Sequence, residues 1–208
     1  MARDTRKRIL VTSLLLFNEN GVPRTSINEI ADEIDISPGN LHYHFRKKSD
    51  IVDGLMAEFQ ADARSVLRPP ESEPLTLDDF WMFLHLLLEF TAAYRFLFRD
   101  TEALGADYPK VDRSLKHFAK GLNAVFELYL LGLVQSGALR MDMDDVQSVG
   151  RNLAVIALLS ERFDMLVGVP RGADEAALHV ARSILSMLKP FAAVEAANEL
   201  HELATRYR

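Results

Sequence analysis

The densest run of side chains able to do directed chemistry is Ser37-Pro38-Gly39-Asn40-Leu41-His42-Tyr43-His44-Phe45. A serine followed by proline starts a helix, the hydroxyl capping it and the ring occupying its first position. Leu41 and Phe45 stand four apart and face a core, which leaves Asn40, His42, Tyr43 and His44 outward or sideways. Amide, imidazole and phenol groups arrayed in this way donate and accept hydrogen bonds, but they do not assemble a bond-breaking set. His42 and His44, two apart, point about 200° away from each other on a helix, which does not suit a shared metal. His201-Glu202-Leu203-Ala204-Thr205 begins like a zinc-protease helix, yet Thr205 stands where the second histidine ligand is required. Asp142-Met143-Asp144-Asp145 lacks the glycine and distant glutamate of a calcium loop and reads as acids at a helix start. His85, His117 and His179 have no sequence partner, cysteine is absent, and no phosphate-binding glycine loop or nucleophile elbow occurs. The expectation is a non-enzyme with no catalytic residue, no metal and no cofactor.

The elements that must hold Asn40 and its neighbours lie just upstream. Ile9, Leu10, Ser13, Leu14, Leu16 and Phe17 share one broad face of a first helix that Gly21 stops. Ser26-Ile27-Asn28-Glu29 forms a capping box that opens a second helix with Ile27, Ile30, Ala31 and Ile34 on its buried side. The tight turn Ile34-Asp35-Ile36-Ser37 then leads into the third, and two short helices so joined make a helix-turn-helix.

Beyond them, helix formers dominate and no sustained period-two alternation or hairpin turn appears, so the chain reads as all-α. Breaks at 20–23, 68–74, 105–109, 136–137, 168–172 and 189–190 delimit helices over about 5–20, 26–34, 37–44, 48–67, 76–92, 93–104, 108–136, 142–167, 173–189 and 191–206. The 208 residues carry a net charge of −6, but residues 1–48 sum to +2 and the remainder to −8. A small nucleic-acid-binding head on an acidic body fits that asymmetry. The basic start has no small-residue cleavage site, and the longest apolar runs, Leu128–Val134 and Leu153–Leu159, fall far short of the roughly 20 residues that span a membrane. A cytoplasmic protein with no membrane partner is expected.

The stretch from Thr5 to about Leu55, above all Thr25-Ser26-Ile27-Asn28-Glu29-Ile30-Ala31 and Ile36 to Phe45, closely resembles the DNA-binding head of the TetR family. The resemblance implies a helix-turn-helix domain over 1–48, joined by a long helix to a larger effector-binding and dimerisation domain over 49–208. It implies that the helix from Ser37 to His44 enters the major groove, with Asn40 and His42 reading bases. Thr25, Ser26, Ser37, Tyr43, His44 and Lys48 match phosphate-contacting positions of the family, and Gly39 would let backbone and DNA approach closely. Three departures stand out. Asp35 replaces a frequent glycine in the turn, Lys47 replaces a serine cap so that Ser49 is expected to take that role, and Val11 and Leu15 form an apolar stripe expected to meet the other domain.

Past Pro74 the chain is rich in large apolar side chains. By the same resemblance some line an effector pocket, for which Phe83, Leu87, Phe90, Tyr94, Phe126, Tyr129, Asn152 and Phe163 are candidates, Asn152 as the polar anchor; plain core packing explains such a stripe equally well. The run Leu153–Leu159 and the face Ala176, Ala177, Val180, Ala181, Ile184, Leu185 and Leu188 suit a two-fold helical interface or an internal core. The implied function is a homodimeric regulator of a double-stranded DNA operator, a repressor released by a small, mainly apolar effector that remains unidentified. An effector-binding helical protein that no longer binds DNA is the alternative.

Overall fold

The computed structural model describes residues 2–99 and 101–205. Among them the only non-helical pairing is an isolated antiparallel bridge from Leu139 to Ala192. The helices are α1 (Ala2–Asn20), α2 (Ile27–Glu33), α3 (Pro38–His44), α4 (Lys48–Val66), α5 (Leu77–Ala93), α6 (Arg95–Arg99), α7 (Thr101–Asp107), α8 (Pro109–Gln135), α9 (Met143–Leu166), α10 (Ala173–Leu188) and α11 (Val194–Thr205), with a single 3₁₀ turn at Lys189–Phe191. The all-α reading therefore holds. No helix among the described residues is long and apolar enough to cross a membrane.

The chain forms two compact units. One draws on residues up to Ala63 and on Ala93–Lys116, the other on Arg64–Ala92 and on residues from His117 onward. In the first, Ile9, Leu10 and Phe17 of α1, Ile30 and Ala31 of α2, Leu41 and Phe45 around α3, and Ile51 and Leu55 of α4 are buried together. Burial of such side chains, worth roughly 1.5–3 kcal/mol each, fixes the short helices α2 and α3, which could not persist alone. Val11 and Leu15 correct the sequence reading, because they stay 47 % and 63 % exposed on the face of α1 opposite this core.

The helix expected over 93–104 begins instead at Arg95, for a reason that lies far away in sequence. The Asn18 amide donates to the Ala93 carbonyl (2.8 Å), and its Oδ1 accepts the Phe96 N–H (3.0 Å). Groups that a continuous helix would use internally are thus taken by one side chain, and Leu97 N–H falls back on Tyr94 O at 3.0 Å. Arg99 also donates to the Asn18 carbonyl (3.0 Å).

In the second unit, α5 and α8 bury Phe80, Phe83, Leu84, Leu87 and Phe90 with Phe118, Leu122, Phe126 and Leu130. The segment leaving α4 is seated on α8 by two leucines: a Cβ at Gly121 would come within 2.8 Å of Leu67, and one at Gly132 within 2.8 Å of Leu75. Only glycine admits so close an approach. The α10 face Val180, Ala181, Ile184, Leu185 and Leu188, like Leu153 and Ala154 of α9, is buried within the chain itself. For these residues the internal-core reading is the correct one. What α9 leaves uncovered is a row of Val155, Leu159, Phe163 and Leu166, 46–78 % exposed and spaced three or four apart.

Candidate nucleic-acid interface

Local hydrogen bonding sets the presentation of α3. Ser26 Oγ accepts the Glu29 N–H (3.1 Å) and Glu29 Oε2 accepts the Ser26 N–H (2.6 Å), the reciprocal capping box expected from the sequence. The Ser26 amide, and secondarily its hydroxyl, hold the Glu29 carboxyl below the usual carboxylate range. At the end of α2 the Ile36 N–H returns to Ala31 O (3.0 Å), which requires a left-handed residue, and Asp35 supplies it with φ 54°. Asp and Asn tolerate that region better than most side chains. Ser37 then caps α3 by accepting the Asn40 N–H (3.2 Å), with Pro38 at the first position.

The result is a short helix anchored by Leu41 (0 % exposed) and Phe45 (3 %) and open on its other side. Ser26, Ser37, Gly39, Asn40, His42 and Tyr43 are exposed, and His44 is half-buried with its ring edge-on to Tyr43 at 5.3 Å. A Cβ on Gly39 would meet nothing nearer than Ser37 Oγ at 4.0 Å, so the fold itself does not require glycine there. His42 Nδ1 lies 3.3 Å from the Arg46 carbonyl oxygen.

Three positions differ from the sequence reading. Thr25 is buried, and its hydroxyl donates to Gly21 O (3.0 Å) at the end of α1 instead of facing outward. Lys48 is half-buried, and its ammonium donates to Val22 O (2.7 Å) and Thr25 O (2.9 Å), pinning the α1–α2 loop. Ser49 does not cap α4. Asp50 Oδ2 accepts the Lys47 N–H (3.1 Å), so Lys47 holds the cap position and a carboxylate one turn on satisfies it. The exposed bases next to α3 are Arg46 and Lys47, to which the sequence reading gave no phosphate role although Arg46-Lys47-Lys48 is a visible run.

The effector candidates divide. In the second unit Phe83 stacks on Tyr129 (4.4 Å) and meets Phe126 edge-on (5.4 Å), Phe80 touching all three rings. Leu87 is fully buried, and Phe90 packs on Phe118 at 4.9 Å. Beside the Phe83–Tyr129 stack lies an open, mainly apolar cleft of about 620 Å³ between the 68–75 segment and α5, walled by Val66, Leu75, Met82, Phe83, Leu86 and Tyr129 and edged by Arg68, Asp79 and Glu89. Burial, then the Asp79 carboxylate, raises the Tyr129 phenol. Three candidates do not join this cluster. Asn152 and Phe163 are exposed on α9, and Tyr94 is buried in the first unit, where its hydroxyl donates to Asp62 at 2.6 Å. No group of three or more metal-ligating side chains occurs among the described residues.

Comparison with known proteins places most of the chain in one family. The sequence model for bacterial regulatory proteins of the tetR family matches residues 9–55, and that for the TetR bacterial transcriptional repressor matches residues 58–200. The HTH-type transcriptional regulator AcrR of Shigella flexneri is 34 % identical over a match covering 32 % of this chain and 38 % of AcrR. The chain thus spans well under half the length of the curated relatives it matches. A TetR-family transcriptional regulator from Marinobacter aquaeolei VT8 superposes with TM-score 0.85 at 28 % identity, covering 98 % of both chains. CprB from Streptomyces coelicolor, solved in complex with its operator sequence, shares the fold with TM-score 0.70 at 19 % identity over 99 % of this chain and 96 % of that one.

Proposed function

The chain belongs to the TetR family of bacterial transcriptional regulators, and from that membership we propose that it is a sequence-specific DNA-binding repressor released from its operator by a small, mainly apolar effector. One observation carries the DNA-binding half: α3 buries Leu41 and Phe45 and leaves Asn40, His42 and Tyr43 exposed beside Gly39, a polar ridge turned away from the core. Side chains of this kind match the base edges of the major groove, and a helix is the element that fits there. Asn40 and His42 read bases. Ser26, Ser37, Tyr43 and His44 position the backbone, joined by Arg46 and Lys47, which take the phosphate role expected of Lys48.

The cleft beside Phe83 and Tyr129 has the size and apolar lining of a small-molecule site and supports the effector half of the proposal. Release is a population shift, so the effector must bind the DNA-incompetent state more tightly than the competent one. Two heads acting together need a two-fold contact, for which the exposed α9 row is the candidate surface. The protein acts by binding and not by turnover.

Footprinting of the DNA upstream of the protein's own gene, with selection from random duplexes in parallel, tests the proposal. A symmetric protected site whose affinity falls steeply with salt is expected. If no sequence is enriched, the DNA-binding reading fails, and ligand affinity without DNA affinity would then support an effector-binding protein alone.

A further inference from the structure

We propose that His42 reads an exocyclic amino group in the major groove, on cytosine or adenine, because the fold fixes which of its ring nitrogens carries the proton. The inference rests on α3 being the DNA-reading helix. Nδ1 of His42 lies 3.3 Å from the Arg46 carbonyl oxygen. A carbonyl oxygen only accepts, so the hydrogen of that contact sits on Nδ1, and in the neutral ring Nε2 is left with a lone pair. The Arg46 carbonyl is available because α3 ends early: Phe45 at its C-cap is extended (φ −139°, ψ 109°), and the chain beyond it no longer follows the helix. His42 is exposed, and Nε2 has no partner among the described residues.

The major groove makes this assignment a choice of base. Cytosine N4 and adenine N6 present hydrogens there, whereas guanine presents only N7 and O6 lone pairs. An Nε2 lone pair therefore matches the first two and meets guanine lone pair against lone pair. A histidine with the opposite tautomer would favour guanine. The same helix carries Asn40, whose amide both donates and accepts, so the two neighbouring readers differ in what they can reject.

The test uses the full-length protein and the duplex recovered by selection. Each cytosine or adenine of a half-site is replaced in turn by the analogue lacking the exocyclic amino group, and each guanine by 7-deazaguanine. We expect one position per half-site where loss of the amino group weakens binding about five- to tenfold, the size of one hydrogen bond, and where the same replacement is neutral for His42→Ala. If the His42-dependent position is instead a guanine weakened by the 7-deaza analogue, the proposal is overturned. Long-range ¹H–¹⁵N spectra of the free protein in mildly alkaline buffer provide a readout independent of DNA: a protonated Nδ1 and a bare Nε2 are expected, and the reverse overturns the assignment even if DNA binds. Absence of any sequence-selective binding by the unaltered protein overturns this inference together with the reading of α3.

Discussion

At Gly39 the protein has room for a side chain that it does not carry, since nothing stands within 4.0 Å of the missing Cβ except the edge of Ser37. Alanine is the better helix former, so Gly39→Ala should leave unfolding unchanged or raise stability by up to about 1 kcal/mol. Operator affinity should nevertheless fall by roughly tenfold or more, as a methyl intrudes where the DNA backbone approaches. Calorimetry paired with a binding titration checks both halves, and a variant that binds normally would remove the close-approach argument. Lys48 behaves in the opposite way. Its ammonium closes on Val22 O and Thr25 O, so Lys48→Met, which keeps most of the stem, should cost about 1–3 kcal/mol in urea unfolding by orphaning both carbonyls. Arg46→Ala and Lys47→Ala should change stability by less than about 0.5 kcal/mol yet each lower the salt slope of DNA binding by about 1.

Among elements, α2 and α3 were readable to within one residue at each end, because their caps are local: Ser26 with Glu29, Ser37 with Pro38, and Asp35 in the left-handed turn each act within five positions. The start of α6 was not readable. Its boundary is written by Asn18, more than seventy residues earlier, and no periodicity around Tyr94 announces it. Thr25 and Lys48 escaped for the same reason, as polar side chains near a surface whose partners are main-chain carbonyls. The α10 stripe was visible, but a 3.6-residue period is identical whether a helix packs on its own chain or on a second copy. The α2 cap also carries a pH signature. Glu29 is held below its ordinary range, so its contribution is fully present above the unfolded-state pKa and is lost as pH falls through the lower folded value. Glu29→Gln should therefore flatten the acid limb of the stability profile and leave the neutral region parallel to the parent; an unchanged acid limb in chemical denaturation would show that the cap is not what titrates.

For the whole molecule, the α9 row of Val155, Leu159, Phe163 and Leu166 is the exposed apolar surface proposed above for the two-fold contact. Leu159→Glu with Phe163→Asp should shift sedimentation from dimer to monomer without loss of helicity, and operator affinity should drop because two half-sites no longer bind as one ligand. A dimer that survives both charges would move the contact elsewhere. A different consequence follows from the two leucines seated at Gly121 and Gly132. Their seats are eleven residues apart on α8, about 16 Å along the axis, whereas the eight steps from Leu67 to Leu75 reach about 26 Å when extended. The intervening stretch is therefore slack, and about three residues can be deleted before a leucine is pulled from its seat, while insertions meet no such limit. Length variation among descendants of this gene should collect at 68–74, rewriting the mouth of the cleft while the helices beneath stay in register, and a foreign peptide grafted there would ride on an otherwise intact fold.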